Sequence, residues 1–282
     1  MEKKWSPLPE LYATPRTVKK LKTDAFSLPS WNLSPRQLCD LELLLNGGFF
    51  PLTGFLDQKD YNSVIEKMRL ADGNLWPIPI NLDVHEKFAE SIKIGCSIAL
   101  RDQEGVVIAV MRITDIWEPN KTIEAESVFG TRNSIHPSVK FLYDQTGPIY
   151  LGGPLKGIQG PVHYDFKILR HTPNQLRQQF SKLGWKRIVA FNTSKPLHRV
   201  QQEFAINASK KVGANLLLHP VVGFTNHGDL DYFTRIKCYN AVLKNYPKAS
   251  TKMSLINLAT RMAGPREAVW HGLIRKNHGC SH

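Results

Sequence analysis

The apolar positions in the first part of the chain predict short strands and brief helices. Apolar stretches at Ser97–Leu100 and Val106–Ile113 flank a glycine-containing turn, so they predict a pair of strands. Trp76–Val84 is typical of an extended segment. Helical patterns are brief and fall at Pro35–Leu45 and Gln58–Met68. Many strands with few long helices favour a small mixed β-barrel.

The pattern changes in the second part, where strands alternate with helices. Thr172 and Pro173 form a helix-start signal, a capping residue followed by a proline in the first turn. Strands that alternate with helices indicate a parallel sheet with crossover helices, which is an α/β fold. The predicted strands are Arg187–Phe191, Asn215–His219 and Met253–Asn257, and the predicted helices begin near Pro196, span Tyr232–Leu243, and run from Gly264–Pro265 to about Asn277.

This change of pattern divides the chain into two predicted domains, residues 1–168 and residues 169–282. Gly279 is a suitable helix terminator, and the next strand of the alternation would begin where the sequence ends, at Cys280–His282. We therefore expect the second domain to be partial, with one edge of its sheet unprotected.

The composition indicates a globular protein that attracts anions. The 282 residues are 42% hydrophobic and carry a formal net charge of +13, so nucleic acid, an acidic membrane surface and small anions are all candidate partners. No apolar run is long enough to span a membrane, and the first twelve residues do not form a secretory signal. We expect a soluble cytoplasmic protein. The densest basic cluster, Lys19–Lys22, is typical of a solvated face.

The cysteines do not predict a metal site or a disulfide framework. The four cysteines lie far apart, and no pair has the spacing of a zinc ligand pair. Cys280 and His282 at the chain end are too few ligands to indicate a metal. Cysteine usage of this kind fits a reducing compartment.

The loop Asn192–Lys195 carries the candidate chemistry. It follows a predicted strand of a parallel sheet, and ligands of such sheets bind at the carboxyl ends of the strands. The next helix begins with free backbone N–H groups that favour a phosphate, and His198 is predicted in its first turn. Lys195 and His198 would then lie close together at an anion-binding position. Spacing alone leaves open a polar loop that only caps a helix.

A second group of residues is predicted on one helix face. Glu267, His271 and Arg275 are four residues apart, so they share a side of the helix that follows Gly264. This pattern is typical of a surface ion-pair ladder, and it also fits a face that lines a ligand cleft.

Several segments resemble those of the ATP sulfurylase family. The segment Val189–Gln201 is similar to the family signature A-F-Q-T-R-N-P-x-H-R-x-H. The resemblance runs from about Leu28 to His282, with the motifs in the family's order. The other matching segments are Leu45–Leu56, Arg69–Trp76, His219–Gly223, Met262–His271 and Ile274–Gly279.

This resemblance implies a fold and a reaction. It implies a PUA-like N-terminal domain followed by a partial Rossmann-like nucleotidyltransferase domain. The family transfers the adenylyl group of ATP to sulfate, which gives adenylyl sulfate and pyrophosphate, and Mg²⁺ normally accompanies the nucleotide. It also commonly assembles into oligomers. The resemblance therefore implies ATP and sulfate or adenylyl sulfate as ligands, and a homo-oligomer or an intact homologue as partner.

The resemblance also assigns roles to individual residues, unevenly. Thr193, Pro196 and His198 match the signature, while other positions differ. Asn192 replaces the family's sulfate-binding glutamine, and Ser194 replaces its sulfate-binding arginine. Lys195 replaces an asparagine, and Gln201 replaces the second histidine. The candidate catalytic residues are Thr193, Ser194, Lys195, His198 and Gln201, and the candidate substrate-binding residues are Asn192, Ser194 and Lys195.

The departures leave three functions open. An arginine grips an oxyanion through two parallel hydrogen bonds, and a serine lacks that charge. The family's T-K-P-G-D corresponds to Thr225–Asp229, without the lysine, and its G-R-D-H segment would follow His282. The chain is therefore either a sulfate adenylyltransferase or a catalytically impaired relative that binds an anion or nucleotide, or modulates an intact homologue. A nucleic-acid binder is the third reading, and the lack of an aromatic-rich RNA motif disfavours it.

Overall fold

The structure is a computed structural model that describes residues 6–224 and 230–282. Its described residues form two sheets and the helices that connect them. The helices are α1 Pro15–Asp24, α2 Pro35–Leu45, α3 Gln58–Lys67, α4 Glu86–Glu90, α5 Lys121–Phe129, α6 Pro137–Asp144, α7 Pro173–Lys182, α8 Arg199–Lys211, α9 Tyr232–Leu243 and α10 Pro265–Asn277. The strands are β1 Ser30–Asn32, β2 Gly54–Phe55, β3 Leu82–Val84, β4 Ser97–Arg101, β5 Val107–Arg112, β6 Asp115–Trp117, β7 Ile149–Gly157, β8 Ile188–Phe191, β9 Asn215–Leu218 and β10 Thr251–Met253.

The first sheet is mixed and is organised around β7. Its seven strands run in the order β1-β4-β5-β7-β2, with β3 and β6 also paired to β7. The β1–β4 pair is parallel, whereas β7 is antiparallel to each of its partners. Gly153 lets β7 pass close to its neighbours, because an added Cβ would lie 2.0 Å from the Arg112 carbonyl oxygen. The sheet forms a half-barrel, which is the coarse form of the mixed barrel predicted from the sequence.

The second sheet is parallel, as the alternation of strands and helices predicts. Its order is β10-β9-β8, and α8 and α9 make the crossovers. The outer edge of β8 is paired along part of its length. Ile188 accepts backbone hydrogen bonds from Ser281 and His282, and Ala190 donates to the His282 carbonyl oxygen. Residues 281 and 282 therefore cover this part of the strand.

The sequence patterns predicted the positions of most helices and strands to within a few residues. The predicted helices Pro35–Leu45, Tyr232–Leu243 and Pro265–Asn277 have the observed bounds. Thr172 caps α7 and Pro173 lies in its first turn, as predicted, and Gln175 completes a capping box that was not predicted. Two predictions are wrong in their bounds. The third parallel strand is Thr251–Met253, and α8 begins at Arg199 rather than near Pro196. Within the predicted extended segment, Leu82–Val84 pairs as a strand.

The third strand ends at Met253, and the residues after it form only isolated bridges. Leu255 and Ile256, which were predicted to belong to it, bridge to Arg170 and Val221. The Ile256 N–H donates to the Pro220 carbonyl oxygen, and the Val222 N–H donates to that of Ile256, so this segment still runs beside the continuation of β9.

One hydrophobic core spans both halves of the chain. It contains the inner residues of the first sheet together with Val221, Ile256, Leu258, Trp270 and Ile274 from the second half. The ring of Phe49 lies 5.5 Å from that of Trp76 and 5.4 Å from that of Trp270. Helix α10 therefore packs its buried face on the core of the first sheet.

Polar contacts reinforce this junction. Arg261 forms a buried ion pair of 2.5 Å with Asp40. Arg266 donates to the carbonyl oxygens of Val64 and Ile65, and Asn277 donates to those of Gly48 and Phe50. These donors all belong to the last part of the chain, and all their acceptors belong to the first.

The basic cluster Lys19–Lys22 is solvated, as predicted. Helix α1, which carries Lys19–Lys22, has no buried side chain. Among the described residues, no helix combines the length and the apolar character that crossing a bilayer requires.

Candidate functional site

The loop after β8 lies at the carboxyl end of the parallel sheet. Asn192 and Thr193 are partly buried, whereas Ser194, Lys195 and His198 are exposed. The backbone N–H of Lys195 donates to the Thr193 hydroxyl at 3.1 Å, which turns the loop sharply after the strand. Leu197 points inward, is 6% exposed, and anchors the loop in the core of the parallel sheet.

Two side chains of α9 hold this loop from below. The Tyr239 hydroxyl donates to the Thr193 carbonyl oxygen at 3.0 Å, and the Arg235 guanidinium donates to the same oxygen at 3.4 Å. Arg235 also donates to the Val221 carbonyl oxygen at 2.6 Å. Both side chains are buried, so the loop backbone is fixed by donors that do not reach the surface.

The start of α8 differs from the sequence prediction. His198 is the N-cap residue, with extended backbone, and does not lie in the first helical turn. The Gln201 side chain accepts a hydrogen bond from the His198 N–H at 3.3 Å, and its amide donates to the Thr193 hydroxyl at 3.5 Å. Gln201 therefore satisfies a free helix N–H and joins the helix start to the loop.

A basic cleft of about 820 Å³ opens beside the same strand end. Asn192 is part of its wall, and the Asn192 Oδ1 atom is buried without a hydrogen-bond partner. The described lining contains no aspartate or glutamate, so the cleft attracts anions. Its charged and titratable lining residues are Arg177, Lys186, His271, Arg275, Lys276 and His282.

Buried histidines lie under the cleft. His219 follows β9, is fully buried, and has no partner on either ring nitrogen. Its ring centroid is 4.9 Å from that of His278. Burial lowers the pKa of His219 well below its ordinary value, and the neighbouring His278 and Arg275 lower it further. Burial also lowers the pKa of His278 to about 4. Both rings are therefore neutral near pH 7.

Arg275 connects these histidines to the cleft. It is 8% exposed and donates to the carbonyl oxygens of His219 and His271. Burial lowers the pKa of Arg275 to about 10, so it remains a cation at neutral pH. A positive charge is thus held in a fixed position at the base of the cleft.

The Glu267, His271 and Arg275 face is not a surface ladder. Glu267 accepts backbone hydrogen bonds from Arg261 and Ala263, and its oxygen is 3.6 Å from His271. Burial alone would raise the pKa of Glu267, but the nearby His271 side chain and the hydrogen bonds from the two backbone N–H groups lower it. His271 and Arg275 line the basic cleft, which agrees with the alternative of a cleft-lining face.

The predicted site residues fall into separate groups. Thr193, Lys195 and Gln201 meet through hydrogen bonds. Asn192 opens into the basic cleft, whereas His198 lines a different cavity of about 380 Å³ between α8 and α9. Among the described residues, no hydrogen bond or ion pair joins the side chains of Lys195 and His198.

Sequence reasoning missed the residues that support the loop and line the cleft. Arg235 and Tyr239 are four apart on a correctly predicted helix, and this spacing was the only available signal. Arg177, Lys186 and Lys276 come from three distant segments, so no local pattern groups them. The segment Thr225–Asp229, which lacks the lysine of the family's T-K-P-G-D, lies outside the described residues.

Two family models match the chain in succession. Residues 2–160 match a PUA-like domain, and residues 167–282 match ATP-sulfurylase. The chain belongs to the ATP sulfurylase family. The first sheet therefore lies in the PUA-like region, and both the loop after β8 and the basic cleft lie in the ATP-sulfurylase region.

Several fungal relatives resemble most of the chain. It is 52% identical over 252 residues to the sulfate adenylyltransferase of Saccharomyces cerevisiae, which covers 89% of this chain and 49% of that protein. It is 50% identical over 263 residues to the sulfate adenylyltransferase of Eremothecium gossypii, which covers 93% of this chain and 52% of the relative. The chain thus spans about half the length of these curated relatives.

A solved structure shares the fold. It is described as a hexameric APS kinase from Thiobacillus denitrificans, and it superposes with a TM-score of 0.82 at 32% identity. The match covers 98% of this chain and 50% of that chain. The agreement extends over both sheets, so the arrangement of the two regions is shared with that protein.

Proposed function

We propose that this chain carries the adenylyl-transfer site of a sulfate adenylyltransferase, with ATP and sulfate as substrates in sulfate assimilation. The observation that supports this most directly is the position of Asn192. It takes the place of the family's sulfate-binding glutamine, and its unpartnered amide oxygen borders a cleft whose described lining is basic and without carboxylates. The three-stranded parallel sheet then serves as part of a Rossmann-like nucleotide-binding domain.

The reaction requires charge neutralisation more than proton transfer. A sulfate oxygen attacks the α-phosphorus of ATP, the new P–O bond forms, and the bond to the β-phosphate oxygen breaks to release pyrophosphate. Both reactants are anions, so fixed positive charges and hydrogen-bond donors lower the barrier by holding them in line. Arg275 supplies a fixed charge, the Asn192 amide supplies donors, and Lys195 and His198 extend from the loop.

Individual residues then have distinct tasks. Thr193 and Gln201 shape the loop through their mutual hydrogen bond, and Ser194 offers a hydroxyl where the family carries an arginine. Lys195 supplies a positive charge one position later. The second-half histidines His219 and His278 are neutral and buried, so they support the cleft rather than bind the anion.

Mg²⁺ is expected to arrive with the nucleotide. Among the described residues, no group of three or more histidine, cysteine, aspartate or glutamate side chains is arranged to hold a metal ion. Mg²⁺ prefers carboxylate, phosphate and water oxygens, and the cleft lining offers no carboxylate. These residues therefore do not fit a resident Mg²⁺.

The test is ATP formation in the reverse direction, from adenylyl sulfate and pyrophosphate, detected with luciferase. We expect ATP formation that falls roughly 10²-fold or more in an Asn192→Ala variant and in a Lys195→Ala, His198→Ala double variant, because each removes donors or charge at the site. Lys210→Ala, an exposed lysine at the end of α8, is the matched control and should retain full activity.

Two further variants restore the family's residues. Ser194→Arg returns the missing guanidinium, and Asn192→Gln returns the longer amide, so each is expected to increase ATP formation. A folded chain that forms no ATP, and gains none in the Ser194→Arg, Asn192→Gln double variant, would contradict the proposal and favour a silent anion-binding relative.

We also propose self-assembly, because the solved relative is described as a hexamer. Light scattering on the purified chain at several concentrations tests this. A mass equal to that of one chain at every concentration would contradict it.

A further inference from the structure

A second cavity, of about 680 Å³, lies mainly in the PUA-like region, between the start of α2, the end of β3 and α6, and Phe224 of the ATP-sulfurylase region also lines it. It shares no lining residue with the basic cleft. Its size is typical of a small-molecule site. The residues that give it chemical character are Trp31, Arg36, Asp83, His85, Phe141 and Gln145.

Arg36 is the cation of this cavity. Its guanidinium carbon lies 4.8 Å from the centroid of the Phe141 ring, a stacked cation–π contact. None of the described residues forms a hydrogen bond or an ion pair with the guanidinium, although it lines the cavity. Arg36 is half-buried. A half-buried guanidinium that no carboxylate pairs keeps its N–H donors available to an anion in the cavity.

The neighbouring carboxylates are occupied elsewhere. Asp83 accepts from the Gln37 amide at 2.9 Å and from the Gly147 N–H at 2.8 Å. Asp40 forms its ion pair with Arg261. Burial and the charge of Arg261 lower the pKa of Arg36, while Asp40 and Asp83 oppose this. An arginine side chain is a cation in proteins at neutral pH. The nearby carboxylates therefore balance the charge of Arg36, but they accept no hydrogen bond from its guanidinium.

Trp31 provides a fixed aromatic wall. Its ring centroid is 5.0 Å from those of His85 and Phe88, and its Nε1–H donates to the Gln37 side chain at 3.1 Å. The His85 Nδ1 atom accepts from the Phe88 N–H, which fixes the ring of His85 as well. A flat surface and a planar cation therefore border one cavity.

We propose that this cavity binds a small anion that carries a planar aromatic ring, with the acidic group on Arg36 and the ring against Trp31. A guanidinium can grip a phosphate or carboxylate through two parallel hydrogen bonds. An indole can stack on a purine or another flat ring. A nucleoside monophosphate has both features and serves as the probe.

The experiment titrates AMP into the full chain, with calorimetry and tryptophan fluorescence as readouts. We expect saturable binding that weakens roughly ten-fold or more in Arg36→Gln, because a charged hydrogen-bond donor is removed. Trp31→Phe should abolish the fluorescence change. The matched control Arg132→Gln, an exposed arginine of the same region, should bind AMP as the parent chain does. Adenosine alone and inorganic phosphate alone should each bind more weakly than AMP, since each has only one of the two features.

Two control variants separate AMP binding at Arg36 from binding in the basic cleft and from loss of folding. A His271→Ala variant, altered in the cleft, should keep the Arg36-dependent binding whether or not the chain forms ATP. Arg36→Lys replaces Arg36→Gln if the latter does not fold, and should still weaken AMP binding because lysine lacks the planar fork. AMP binding that is unaffected by Arg36 and Trp31 substitutions, or no AMP binding to the folded chain, would overturn the proposal.

Discussion

The Tyr239 hydroxyl donates a 3.0 Å hydrogen bond to the carbonyl oxygen of Thr193, the second residue of the candidate site loop. This contact joins α9 to the loop after β8. Because Arg235 reaches the same oxygen at 3.4 Å, one carbonyl group collects two donors from consecutive turns of the helix. The backbone of the site is therefore positioned by a helix that supplies none of the residues proposed to contact the substrates.

Removal of the Tyr239 hydroxyl should loosen the loop. We expect Tyr239→Phe to lower the free energy of unfolding by about 1 kcal/mol, and to speed amide hydrogen exchange in the loop, because Thr193 loses its shorter hydrogen bond. Tyr246→Phe is the matched control, since the buried Tyr246 hydroxyl has no partner in the described structure. That change should be neutral or slightly stabilising. Equal losses in the two variants would show that the contact with Thr193 contributes nothing.

Gly223 is expected to tolerate no side chain. An added Cβ would lie 2.4 Å from the carbonyl oxygen of Leu258, with two further backbone atoms of Leu258 closer than 3 Å. Gly223→Ala should therefore destabilise the chain by about 1–3 kcal/mol or more in urea unfolding, because two backbone segments must separate. Gly272→Ala, on α10 with open space around it, should instead stabilise by about 0.5–1 kcal/mol. A neutral Gly223→Ala would mean that the two segments are not in close contact.

Stability should fall as the pH falls below the ordinary histidine pKa. The His278 pKa is about 4 in the folded chain, against an ordinary value of 6.5. Between these values the unfolded chain binds a proton that the folded chain does not, so stability is complete above the upper value and decreases toward the lower one. The folding free energy lost through protonation of His278 is at most about 3 kcal/mol. Protonation of His219, whose pKa is also lowered, acts in the same direction.

A titration of unfolding free energy between about pH 7.5 and pH 5 tests this. His278→Asn keeps a side-chain donor for the Ile274 carbonyl oxygen but cannot titrate, so its profile should be flatter. Identical slopes in the two proteins would show that His278 is not the group responsible.

The ion pair of Asp40 and Arg261 should be costly to break. Both side chains are buried, so Asp40→Asn leaves a guanidinium without its counter-charge and should destabilise by about 3–5 kcal/mol. Glu126→Gln, which disrupts the exposed pair of Glu126 and Arg132, should cost less than about 1 kcal/mol. A comparable loss in the two variants, measured by urea unfolding, would contradict this difference between buried and exposed pairs.

Much of the fold was predictable because its signals are local. Proline at the first helical turn and a capping residue before it mark the starts of α2 and α7, and both helices begin as predicted. The prediction for α8 was wrong because Pro196 resembles such a start. The actual cap is His198, whose N–H is satisfied by Gln201, and Leu197 is drawn into the core before the helix begins.

The site was only partly predictable because its support is distant in sequence. Asn192 was placed correctly at a strand end, since parallel strands set where ligands bind. Its neighbours in the cleft, His271 and Arg275, were predicted to share a helix face but not to meet Asn192. Such a meeting depends on how α10 packs against both sheets, and no periodicity within one element encodes that.

The burial of Trp270 against Phe49 makes the PUA-like region and the ATP-sulfurylase region depend on each other for stability. Trp270 lies in the ATP-sulfurylase region, yet it completes a core that belongs mostly to the PUA-like region. A fragment confined to either region would expose large apolar surface, so each is expected to aggregate when made alone. Recombination between relatives would therefore need to exchange the two regions together, or to keep this pair of facing surfaces matched.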